Sequence, residues 1–169
     1  MYSVGDIVVY GNKGVYRIDE IGLPQMDWLK PQREYYTLIP LFDGERIYTP
    51  IDTPVFMRKI MTKAEAMDFI MSMPDILVDE NECKNPRSME SYYKTALESH
   101  SLDKVTMVIK MIYAKKLAAK DKGKKLAQID EKYLKQAEGI LYRELAAVFD
   151  LEPEAVTDFI CDIIDGKTV

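Results

Sequence analysis

Apolar and polar positions change their period once along this chain. From Val4 to Lys59 the apolar groups fall in short runs, IVVY, GVYRIDEIG, EYYTLIPLF, RIYTPID and PVFMRKI, separated by Gly, Pro, Asn and Asp. Short runs rich in β-branched and aromatic residues between such breakers predict five strands. The stretch VGDIVVYGNKGVYRI, from Val4 to Ile18, sets two of these runs around a Gly-Asn-Lys-Gly turn and predicts a hairpin. Phe42-Asp43-Gly44-Glu45 predicts another. So many strands in so short a stretch suit a small SH3- or Tudor-like five-stranded β barrel, because closure is how a short β domain hides its edges.

Beyond residue 60 the period becomes helical. Thr62-Lys63-Ala64-Glu65 reads as a capping box opening a helix, with Met67, Ile70, Met71 and Met73 near one face and Pro74-Asp75 at its end. Residues 79–88, DENECKNPRS, read as a polar connection, and a short helix is predicted from Met89 to Glu98. Ser101 caps the next helix, where Val105, Val108, Ile109, Ile112 and Tyr113 recur at helical spacing and Lys104, Lys110, Lys115 and Lys116 take other positions. Ile129, Tyr133, Ala137, Ile140, Leu141 and Val148 share one side of a further helix. The last helix begins at Glu152-Pro153 and carries Val156, Phe159, Ile160, Ile163 and Ile164. The fold class expected is α+β: a β domain over residues 1–60, then an all-α domain of about five helices over 61–169.

Composition narrows the chemistry. With 169 residues and 47% apolar side chains the chain can bury real cores. Cys83 and Cys161 stand too far apart, in contexts too different, to signal a zinc knuckle or a disulfide framework, which fits a reducing cytoplasm. No leader or membrane-spanning stretch is read. Cys161 falls on the apolar stripe of the last helix and is expected to be buried. His100 is the sole histidine and sits at a helix junction, so no imidazole-based metal site or catalytic triad can be assembled around several histidines. Gly11 and Gly14 precede a strand, whereas a phosphate-cradling loop needs a helix downstream. Neither an enzyme nor a cofactor is expected.

The net charge of −5 conceals a segregation. Residues 84–125 carry eleven Lys/Arg against four Asp/Glu, whereas 126–169 carry four against ten and 61–83 one against six. A basic segment between acidic ones suits a local phosphate-facing surface, because counterion release depends on local contacts. It equally suits a solvated lysine-rich helix face.

VGDIVVY followed by KGVYRIDEIG, then EYYTLIPL, RIYTPID with Pro50, YYKTALESHSLDKVTMVIKMIY and DEKYLKQAEGILYREL resemble, in that order, the CarD/CdnL family of bacterial transcription regulators. The N-terminal module of that family recurs in transcription-repair coupling factors. The resemblance implies a β module that binds the lobe of the RNA polymerase β subunit through an edge strand, here Arg46 to Pro50 with Arg46, Ile47 and Tyr48 as contact residues. It also implies a monomer whose helical domain faces promoter DNA in the open complex, with Arg87, Met89 and Lys94 as DNA-binding candidates. The family wedges a tryptophan at the upstream edge of melted DNA. Here Met89 holds that position, Ser91 and Tyr92 replace two basic residues after it, and Trp28 lies in the β module. Met89 is therefore expected to be exposed near the start of its helix, as an apolar wedge. The rival expectation is a protein-interaction adapter whose barrel binds another partner and whose helices touch no DNA.

Overall fold

The computed structural model describes residues 1–23, 33–78 and 86–166, which divide into two compact units, Met1–Met61 and Thr62–Val169. Trp28, Cys83 and most of the polar connection after residue 78 lie outside the described residues.

In the first unit the five runs become β1 (Ile7–Tyr10), β2 (Gly14–Gly22), β3 (Tyr35–Pro40), β4 (Ile47–Pro50) and β5 (Met57–Lys59). They form one antiparallel sheet in the order β4-β3-β2-β1-β5, which makes β4 and β5 its two edges. Gly11 and Gly14 take positive φ (51° and 131°), the backbone that lets β1 fold back onto β2. In the second hairpin Gly44 has φ 148°, and a Cβ there would sit 3.3 Å from Pro40 Cβ and 3.4 Å from the Tyr16 hydroxyl. A register shift between Ile18 and Glu20 lets the long β2 pair with β1 at its start and with β3 along the rest, as a bulge in a strongly twisted strand does. One face of the sheet buries Val8, Tyr10, Tyr16, Ile18, Tyr36 and Leu38.

The second unit is helical: α1 (Lys63–Ser72), α2 (Pro86–Glu98), α3 (Leu102–Asp121), α4 (Gln128–Phe149) and α5 (Val156–Ile164), with 3-10 turns at Met73–Asp75 and Pro153–Ala155. The capping box is present: Thr62 Oγ1 accepts from the Glu65 amide at 3.2 Å and the Glu65 carboxylate accepts from the Thr62 amide at 2.8 Å. Ser101 caps α3 through the Lys104 amide. Long α3 packs along α4 and α2 lies against both. Among the described residues no helix is long and apolar enough to cross a membrane.

Several expectations are corrected. Helix α2 begins at Pro86 and not at Met89, since a proline in the first helical turn has no intrahelical partner to lose. On α1 the inward residues are Ala66 and Ile70, continued by Met73, a spacing of four and then three that leaves Met67 and Met71 exposed. Cys161 is exposed, because Val156 and Ile163, two turns apart, define the buried line of α5. The largest correction concerns Met89. It is only 5% exposed and belongs to the buried stripe Met89, Tyr93, Ala96 and Leu97 of α2. A side chain packed in a core cannot also enter a groove, so Met89 is no wedge.

Candidate functional site

Two surfaces gather the features that the sequence singles out, one in each unit. The first is the β4 edge. Thr49 is 3% exposed and accepts a hydrogen bond from the Tyr10 hydroxyl at 3.0 Å, while Ile47 and Ile51 pack partly against the core. Alternation along the strand then places Arg46, Tyr48 and Pro50 on the opposite face. Arg46 is fully exposed and immediately precedes β4, and Tyr48 is half-buried. A hydrogen bond to the Tyr48 side chain holds the Arg46 guanidinium more firmly protonated than usual, helped by the more distant Asp19 and Glu20 carboxylates. Of the three residues expected at this contact, Arg46 and Tyr48 thus lie together on one face and Ile47 points the other way.

The backbone of this edge follows from the register. Ile51 donates to the Glu34 carbonyl at 3.1 Å, and β3–β4 pairing runs Tyr35 with Pro50, Tyr36 with Thr49, Thr37 with Tyr48 and Leu38 with Ile47. Antiparallel ladders alternate, so Ile47 and Thr49 exchange bonds with β3, whereas the Tyr48 amide and carbonyl are directed to the outer side and the Pro50 carbonyl accepts from the Thr53 amide at 3.0 Å. Pro50 therefore occupies a position where a missing N–H costs no ladder bond, the usual place of proline on an edge strand. An edge of this kind can accept a further strand, with backbone bonds giving affinity and alternate side chains giving choice of partner.

The second surface is basic. Arg87 and Lys94, seven residues apart on α2, share an exposed face with Ser91 and Glu98, and Lys94 pairs with Glu98 at 3.9 Å. Met89 lies about 200° around the helix from Arg87. The structure therefore keeps Arg87 and Lys94 together and separates Met89 from them.

Two lysines of the basic segment serve the interior. Lys110 donates to the carbonyls of Met73, Pro74 and Ile76 at 3.0, 3.2 and 2.6 Å, closing the chain that leaves α1. Lys115 donates to the Tyr93 hydroxyl at 2.9 Å and to the buried Asp130 carboxylate at 3.2 Å, while Tyr93 donates to Asp130 at 2.7 Å. That triad ties α2, α3 and α4 together.

The other lysines converge where α3 ends and α4 begins. Gly123, with φ 63°, turns the chain, and the Lys124 amide donates back to Ala119 at 2.8 Å. Lys116, Lys120, Lys124 and Lys125 line an open groove of about 600 Å³ with Lys135 of α4, beside Glu131 and Glu138. The sequence reading takes lysines of the helix after Ser101 as phosphate-contact candidates but does not assemble this cluster, since Lys135 belongs to the acidic segment and only the fold brings it to the others. The legible signal was the run KDKGKK at 120–125. Cations also complement the negative end of a helix dipole, so some of these lysines stabilise α3 whatever else they bind. Among the described residues no group of three or more His, Cys, Asp or Glu is placed to hold a metal ion.

Residues 2–61 match the family model for the CarD-like/TRCF RID domain, a range that coincides closely with the first compact unit. No curated protein matches the chain at a significant level.

Proposed function

The first unit belongs to the CarD-like/TRCF RNA polymerase-interaction domain family, and on that premise we propose that the chain docks on the lobe of the polymerase β subunit through the β4 edge and modulates open promoter complexes through its helical unit. The CarD-like family is a non-catalytic, RNA polymerase-interacting one, and an RNA polymerase-interacting role in general follows for this chain from the domain match. The observation that carries the finer reading is the place of β4 at the end of the strand order, with Arg46 and Tyr48 on one face. In this proposal Arg46 contacts an acidic group of the lobe and Tyr48 packs beside the added strand. The working unit is a monomer, in the bacterial cytoplasm, on one polymerase.

The proposed DNA contacts are Arg87 and Lys94 on α2 and the lysines at the α3–α4 turn. The tryptophan-like wedge has no part in it. If these cations neutralise phosphates, the affinity for a promoter–polymerase complex falls steeply with salt, and each lost contact lowers the log–log slope by about one unit. Replacing Lys120 and Lys124 with Gln is expected to lower the slope by about two units, and replacing Arg87 and Lys94 to lower it similarly. Titrating complex formation against salt for the parent and both pairs checks this. Unchanged slopes would favour the second reading, an adapter that binds polymerase without touching DNA. That reading is supported by the burial of Met89 and by the internal roles of Lys110 and Lys115.

A further inference from the structure

The lysine groove at the α3–α4 turn has a shape and a charge that a flat basic surface lacks. Lys116 and Lys120, one turn apart on α3, line it from one side and Lys135 of α4 from the other, while Lys124 and Lys125 come from the turn between them. Leu126 and the buried Leu134 give the lining an apolar part. Glu131 and Glu138 are its only acids among the described residues, so five lysines against two glutamates leave a net charge of +3. The groove encloses about 600 Å³, within the range of small-ligand sites of roughly 300 to 1,000 Å³.

These charges are not neutralised from within. Among the described residues none of the five lysines stands at salt-bridge distance from a carboxylate, although Glu131 and Glu138 line the same groove. Glu138 accepts instead from the Tyr113 hydroxyl at 2.7 Å, and the Lys116 ammonium lies over the Tyr113 ring at 5.6 Å. Like charges one turn apart on a helix, as Lys116 and Lys120 are, destabilise it. The dipole of α3 accounts for Lys120 in its last turn, but that influence fades within the turn and explains neither Lys116 nor Lys135. A compact anion among the five would remove the repulsion. The lining also narrows its chemistry: all five cations are ammonium groups, and no guanidinium supplies the planar fork that matches a single carboxylate. Clustered point charges suit a chain of phosphates. A convex duplex meets the rim of such a groove, whereas a small anion enters it.

We propose that this groove binds one small polyphosphate anion, its linear chain of phosphates lying among these lysines. The inference shares lysines with the promoter contact proposed above but does not depend on it, so it is tested on the full chain free of DNA and polymerase. Calorimetry in magnesium-free buffer at an ionic strength of about 0.1 M follows inorganic tripolyphosphate, with orthophosphate as its single-phosphate counterpart. Tripolyphosphate is expected to bind one per chain, at least about tenfold more tightly than orthophosphate. Lys120→Gln with Lys124→Gln should weaken it by about tenfold and Lys135→Gln, on the opposite wall, by about threefold, as the loss of two exposed charge contacts and of one implies. Lys104→Glu also removes two positive charges' worth, but about 24 Å along α3 from Lys120, beyond a screening length of about 10 Å. It should change the affinity by less than about twofold. Adenosine triphosphate distinguishes the sources: tighter binding than tripolyphosphate assigns the chain to a nucleotide whose ring lies on Leu126 and Leu134, and equal binding to an inorganic chain, both within the proposal.

No saturable binding of tripolyphosphate, or binding no tighter than that of orthophosphate, would overturn the proposal. So would an affinity unchanged in the Lys120, Lys124 pair or in Lys135→Gln, or an equal loss in Lys104→Glu, which would reduce the groove to diffuse surface charge. The promoter contact fails separately: tripolyphosphate bound at these lysines while the salt slope of the promoter complex ignores them would remove that contact and leave this site standing.

Discussion

The double replacement Arg46→Glu, Tyr48→Ala is expected to weaken binding to the isolated β-subunit lobe by at least tenfold, as loss of an interface anchor of about 2 kcal/mol or more implies. Both side chains lie on the face of β4 turned from the core, and Arg46 is fully exposed, so the sheet should keep its stability. A companion pair, Tyr48→Ala and Tyr48→Pro, separates backbone from side chain, since both lose the ring and only the proline also loses the amide. Tyr48→Pro removes an amide that the register directs away from β3 and so spares the β3–β4 ladder, yet it should abolish strand addition. Pull-down or calorimetry with the lobe, beside thermal melts of each variant, reads both effects. Undiminished binding by the folded double mutant would remove β4 as the docking edge.

Met89→Ala is expected to destabilise the helical unit by about 2–5 kcal/mol, the usual cost of truncating a buried methionine. Met89 is 5% exposed on the stripe that packs α2 onto the helical core, so its loss leaves a cavity between helices. Unfolding followed by denaturant should show a lower midpoint for the helical unit. Met89→Trp should also destabilise, through overpacking. An exposed DNA-contacting residue would behave in the opposite way, with stability unchanged within about 0.5 kcal/mol and an altered promoter-complex lifetime.

The two units differ in how far they can be read from sequence. In the first, alternation and turn chemistry agree: IVVY and GVYRIDEIG become β1 and β2, and the glycines between them adopt the positive φ that the hairpin needs. The place of β4 at the edge is not visible in RIYTPID itself, because edge or centre depends on pairing distant in sequence, although Pro50 hints at it. In the second unit the capping signals at Thr62 and Ser101 are local and hold. Met89 goes wrong because position by resemblance prevails over period: Met89, Tyr93 and Ala96, spaced by four and three, already form a core stripe. The lysines fail for another reason. Charge counted by segment cannot tell Lys115, which reaches Asp130 fifteen residues on, from Lys124 at the rim of a groove. Cys161 and Met71 show the same limit, since a short apolar helix offers more than one candidate inward face and only the neighbouring helices choose between them.

Amide hydrogen exchange of the full chain, alone and bound to RNA polymerase, tests docking through β4 most directly, because an added strand ties down the outward amides of the strand it joins. Slower exchange concentrated at Arg46–Tyr48 of the first unit is expected, with the Tyr48 amide the most affected. Polymerase binding that left exchange along β4 unchanged and slowed it on the β5 edge, or only in the helical unit, would contradict it.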